Sequence, residues 1–134
     1  MLDIAAVLVV ALLFGGMTLY SFGFAAFLFT ALPMPQARST IRAAFPHFYL
    51  FVLGTAAIGA ALCVGTDRFS AVLLATIAIT VVPTRQLLMP AINAATDAGE
   101  KKRFAWLHGA SVLITLAHIG LAGWVLARFA IDPA

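Results

Sequence analysis

The sequence predicts an all-α integral membrane protein, a four-helix bundle with both termini on the same side of the bilayer. Three observations carry that reading. The first is composition: of 134 residues 63% are hydrophobic and only 10% charged, too few charges to solvate a water-soluble domain, which carries about 25%. Mean hydropathy is +1.07. The second is patterning. Charge-free runs cover residues 4–37, 43–66, 69–84 and 104–127, and a helix needs about 20 apolar residues to cross a hydrocarbon core of about 30 Å. The third is punctuation, since prolines and polar turns separate the runs. This composition excludes a soluble enzyme, a disordered tail and a disulfide-stapled secreted domain. A single transmembrane domain over residues 1–134 accounts for the whole length.

The expected helices lie near residues 3–32, 46–65, 69–89 and 103–131. Pro33 and Pro35 stop the first, because each lacks an amide donor and restricts the residue before it. Pro46 opens the second at its first turn. Gly65-Thr66-Asp67-Arg68 is a short turn, which makes the second and third helices antiparallel neighbours. The third reaches spanning length by continuing past Arg85 to Met89, kinks at Pro83 and closes at Pro90. A polar segment, 93–103, leads into the fourth.

Orientation follows from the cations. The loops after the first and third helices hold Arg38, Arg42, Arg85, Lys101, Lys102 and Arg103, against Arg68 and Arg128 on the terminal side. The positive-inside rule then places the basic loops in the cytoplasm and both termini in the periplasm of a bacterial inner membrane. Cations flanking apolar spans also explain the pI near 9.6 and predict lipid contact and no nucleic-acid partner. The start lacks a basic n-region, so no cleavable signal peptide is expected. Asp3, Asp67 and Asp132 read as ordinary surface charges. Cys63, the only cysteine, reads as core filler beside Tyr49, Val52, Ala56 and Gly59, a mostly small seam.

Polar side chains inside a bilayer tend to face the bundle interior. In the fourth helix His108, Ser111, Thr115, His118 and Ala122 keep one face, with Leu113, Leu116, Leu121 and Val125 opposite. That stripe reads as a packing seam or as a ligand-facing surface. Met17, Tyr20 and Ser21 lie near the middle of the first helix, and Met17 and His118 fall at similar depth. Either a thioether and an imidazole meet there on a soft metal ion or haem iron, or Met17 fills a gap and His118 bonds a threonine hydroxyl. Thr76 and Thr80 supply hydroxyls on one face of the third helix.

A second constellation lies at the basic boundary: His47, Tyr49, Arg85 and His108, with Arg38 and Arg42 nearby. Three readings are open there. Histidines and arginines hold haem b with its propionates, or the cations contact an anionic headgroup or small anion, or the group anchors the protein at the interface. No phosphate-binding loop, CxxC, HExxH or GxSxG motif is present. The spans hold no acidic residue, which argues against proton-coupled transport.

Four segments together resemble one family. They are Gly16-Met17 with Ser21, Leu28-Phe29 and Leu32-Pro33; Phe45-Pro46-His47-Phe48-Tyr49; Met89-Pro90-Ala91-Ile92-Asn93; and Phe104-Ala105-Trp106-Leu107-His108-Gly109-Ala110-Ser111. In this order they resemble the small membrane-protein family that includes transmembrane protein 205 of animals and a bacterial domain of unknown function. The resemblance implies a role in transport or trafficking. Thr115 stands where the family carries asparagine and Met89 where it carries arginine, and of the histidines only His108 lies in the family pattern.

The functional expectation is a non-enzymatic membrane protein that handles a small ligand or metal or supports transport, with contacts from Met17, Tyr20, Ser21, Tyr49, Arg85, His108, Ser111 and Thr115. The alternatives are a haem-binding redox protein using His47, His108 and His118, and an accessory subunit of a larger membrane complex. Four helices enclose a narrow interior, so a homo-oligomer is expected if a ligand crosses.

Overall fold

A computed structural model describes residues 4–132. It contains four helices long and apolar enough to cross a membrane: Ile4–Ala31, Met34–Cys63, Arg68–Asp97 and Lys101–Ile131. No strand occurs among the described residues. At 1.5 Å per residue each helix is about 45 Å long, so each exceeds the hydrocarbon core and its ends project beyond it. Residue 3, the expected start of the first helix, lies outside the described residues.

Two expected boundaries differ, both at prolines. The second helix begins at Met34, not near 46. Pro33 is extended (φ −57°, ψ 148°) and Pro35 falls in the first turn, where a missing amide costs nothing. Pro46 is then an interior residue that deletes only the bond its amide would have made to the Arg42 carbonyl. The third helix does not close at Pro90 but runs on to Asp97. Between Pro83 and Pro90 it widens into a π segment, Thr84–Leu88, in which the Met89 amide reaches the Thr84 carbonyl. The wider turn absorbs both prolines without breaking the rod. The polar segment expected at 93–103 shrinks accordingly, because helix occupies most of it. Gly99 makes the reversal with φ +69°. Its amide bonds to the Thr96 carbonyl and that of Glu100 to the Ala95 carbonyl, a left-handed helix stop that glycine accepts without steric cost.

The helices pack in cyclic order. The second lies along the third, the first rests on the second and fourth, and the fourth closes on the third. Each contributes an inward row. These are Ala6, Val10, Leu13 and Met17; Tyr49, Val52, Ala56, Gly59 and Cys63; Leu74, Ile77, Ala78 and Val81; and Ser111, Thr115, His118, Ala122, Val125 and Phe129. Val125 therefore belongs to the inward row of the fourth helix, not to its outer face. Glycine permits the closest approach. A β-carbon on Gly16 would lie 2.5 Å from Cζ of Phe51, so the ring fills the space a side chain would occupy. Outward-facing side chains such as Leu8, Leu12, Val72, Ile79 and Leu113 are mostly exposed, as lipid-facing residues are.

The first helix also contains a π segment, Leu19–Phe24. Before it, the helix packs on both the second and the fourth; beyond it, the helix packs principally on the second.

Candidate functional site

Arg85 lies one turn beyond Val81, on the same face of the third helix, and comes to lie against the second helix. Its Nε donates to the Pro46 carbonyl (3.2 Å) and its Nη1 to Oε1 of the adjacent Gln86 (2.8 Å). A guanidinium has five N–H donors, so three remain without a partner among the described residues. No carboxylate there pairs with Arg85, whereas Arg42, Arg103 and Arg128 each face one.

Beside Arg85 a groove of about 140 Å³ opens between the second and third helices, lined by Tyr49, Leu50, Leu53, Val81, Val82, Arg85 and Gln86. Tyr49 is 5% exposed. Its ring packs on Phe45 and Phe48, with centroids 6.0 and 5.3 Å away. Its hydroxyl makes no hydrogen bond to the described residues. No sealed side-chain oxygen lacks a partner, so this hydroxyl reaches an open surface, and the groove is the surface that Tyr49 lines. Tyr20 joins the same aromatic cluster from the first helix, its ring tilted against Phe48 with centroids 5.1 Å apart, and donates its hydroxyl to the Ala44 carbonyl (2.9 Å).

The other sequence-predicted residues lie elsewhere. Met17 is fully buried, and its carbonyl accepts the Ser21 hydroxyl. His118 is buried, with Nε2 2.8 Å from Oγ1 of Thr80. That hydroxyl has one proton and donates it to the Thr76 carbonyl at 2.6 Å, which leaves Nε2 of His118 as the donor. Ser111 donates to the His108 carbonyl (2.7 Å). Thr115 is buried and hydrogen-bonds to no described residue. His108 is exposed and stacked on Phe104, centroids 5.3 Å apart. His47 is exposed on the second helix. Of the predicted contacts, then, Tyr49 and Arg85 are brought into one groove and Tyr20 sits behind it. No group of three histidine, cysteine or acidic side chains among the described residues is arranged to hold a metal ion.

Asp67 is not the surface charge its place in a turn implied. It caps the third helix, accepting from the Ser70 amide (3.1 Å), the Ser70 hydroxyl and Nη2 of Arg128 (3.0 Å). Nε of Arg128 also reaches the Ser70 hydroxyl (3.3 Å), and its guanidinium lies 4.6 Å above the Phe69 ring. This network joins the start of the third helix to the end of the fourth. The spacing of Asp67 and Ser70 is a helix-capping signal legible in the sequence; the remote arginine is not. Asp132 is exposed and Asp3 lies outside the described residues.

A family model described as a domain of unknown function, DUF4149, matches residues 8–101. The chain belongs to the DUF4149 family. The DUF4149 match starts one turn into the first helix, takes in the second and third, and ends as the fourth begins. Every residue lining the groove lies inside the DUF4149 region, as do Met17, Tyr20, Ser21 and His47, whereas His108, Ser111, Thr115 and His118 lie past it. No curated protein and no solved structure matches the chain.

Proposed function

We propose that this DUF4149 protein is a non-enzymatic, bilayer-embedded binding protein that takes an amphiphilic ligand laterally from the membrane into the groove between its second and third helices. One observation carries the reading. An arginine without a carboxylate and a tyrosine hydroxyl without a partner flank an apolar groove in a membrane-spanning helix, which sets free hydrogen-bond donors beside apolar walls. Such a pairing of charge with apolar wall suits a ligand with an anionic or polar head and a hydrocarbon body. In this reading the basic loops face the cytoplasm of a bacterial inner membrane, both termini face the periplasm, and copies of the chain associate within the bilayer. The resemblance to transmembrane protein 205-like chains, with its implied role in transport or trafficking, belongs to the same reading.

Native mass spectrometry of the purified chain tests it. The expected result is a retained amphiphile that is lost when Val82→Trp fills the groove. An adduct-free spectrum after mild extraction overturns the proposal. An ultraviolet–visible spectrum before and after dithionite is expected to be featureless; a Soret band that shifts on reduction replaces this reading with the haem-binding one.

A further inference from the structure

Resting on that reading, we infer that the ligand is an anionic phospholipid of the leaflet next to the basic loops, with its phosphate on Arg85 and Tyr49 and an acyl chain along Leu50, Leu53, Val81 and Val82.

Depth is the first argument. Arg68 begins the third helix, and Arg85 lies about 25 Å further along its axis at 1.5 Å per residue. That distance approaches the thickness of the hydrocarbon core, about 30 Å. With Arg68 at one interface, Arg85 reaches the phosphate and glycerol level of the other. A groove between two lipid-facing helices at that level is open to a lipid already in the leaflet.

Charge is the second. The two N–H groups of Arg85 that are engaged go to neutral oxygens, Pro46 O and Gln86 Oε1, so they fix the guanidinium plane without neutralising it. Nη2 and the second proton of Nη1 remain as an adjacent donor pair, the arrangement that accepts a phosphate through two oxygens. The Tyr49 hydroxyl supplies a third donor. Every donor points to an anion that accepts hydrogen bonds, and no acidic residue lines the groove to compete with it.

Shape is the third. Below the polar end the walls are leucine and valine, and about 140 Å³ holds only part of one acyl chain, since a methylene fills a few tens of Å³ at protein packing density. The remainder of the lipid lies against the outer surface, as in an annular position with a fixed head.

The test uses the full chain in detergent and in nanodiscs, with native mass spectrometry as the readout. Phosphatidylglycerol, phosphatidylcholine, oleate and inorganic phosphate are offered in turn. Phosphatidylglycerol should be retained over phosphatidylcholine. Tyr49→Phe, which keeps the ring packing, should weaken that retention about tenfold, the worth of one hydrogen bond to a charged group. Arg85→Gln should abolish the preference for the anionic lipid, and Val82→Trp, on a lipid-facing position, should reduce retention of both lipids. Equal retention of the two lipids by the wild type overturns the assignment of the ligand while leaving a binding groove in place. Retention of oleate alone overturns it in favour of a single-chain carboxylate, and displacement of phosphatidylglycerol by inorganic phosphate overturns the role of the apolar walls. If no amphiphile is retained, the binding reading itself falls.

Discussion

Asp67 and Arg128 should be energetically coupled, and the coupling should depend on acid in one direction only. The side chains are 18% and 32% exposed, between the surface pairs worth up to about 1 kcal/mol and the buried pairs whose disruption costs about 3–5 kcal/mol. This intermediate burial implies a coupling energy of about 1–2 kcal/mol. Asp67→Ala also removes the helix cap, worth about 1 kcal/mol, for a total of about 2–3 kcal/mol. A double-mutant cycle with Asp67→Asn and Arg128→Gln, read from reversible unfolding in mixed micelles, isolates the pair. Additivity to within about 0.5 kcal/mol would show that the two charges do not cooperate and would refute the argument. Burial alone pushes the Asp67 carboxyl up, but donation from the Ser70 hydroxyl and amide and from Arg128 outweighs it and holds the group below its ordinary value. A carboxyl depressed in the folded state stabilises above the unfolded value of about 3.9 and loses that contribution as pH falls through the folded one. The coupling should therefore be flat from about pH 5 to about pH 8 and vanish only in stronger acid. A coupling that fades between about pH 8 and about pH 5 would contradict the assignment.

Gly16→Ala should destabilise by about 1–3 kcal/mol by overpacking against Phe51, and Gly15→Ala, which meets nothing within 4 Å, should not; equal unfolding midpoints for the two would remove Phe51 from the account. Thr80→Val should cost about 1–3 kcal/mol, because it strands the His118 donor in the core, and Thr76→Val should cost less, since Thr76 only bonds back to the Val72 carbonyl of its own helix. In a Cys63→Ser background, Ala98→Cys should react with a membrane-impermeant maleimide only after the cytoplasm is opened; labelling of intact cells would reverse the proposed orientation.

The sequence reveals the helices and much of what faces inward, because both come from periodicity and hydropathy. The row Tyr49, Val52, Ala56, Gly59 and Cys63 and the row from Ser111 to Ala122 are buried as their spacing implies. Prolines mislead for one physical reason. Pro46, Pro83 and Pro90 each remove a single hydrogen bond, and a long helix held by its neighbours tolerates that loss or widens into a π turn. The groove walls keep helical spacing, Tyr49, Leu50 and Leu53 on one helix and Val81, Val82, Arg85 and Gln86 on the next, but which two faces meet depends on packing between helices, which spacing within each does not state. Tyr49 and Arg85 are visible as candidates, but the Pro46 carbonyl that orients Arg85 is a backbone atom on another helix. His118 shows the same limit: its need for a hydroxyl is legible, while the identity of Thr80 depends on how two antiparallel helices register.

The two arginine–carboxylate pairs that join neighbouring helices differ in kind. Arg42 meets Asp97 at 2.6 and 2.9 Å with both side chains about half exposed, so dissolved ions screen it. The Asp67–Arg128 pair is shielded by Ser70 and Phe69. Electrolyte thus acts on one rim of the bundle and spares the other. Raising ionic strength should slacken the second and third helices at the basic rim, near the mouth of the groove, while the opposite rim stays fastened.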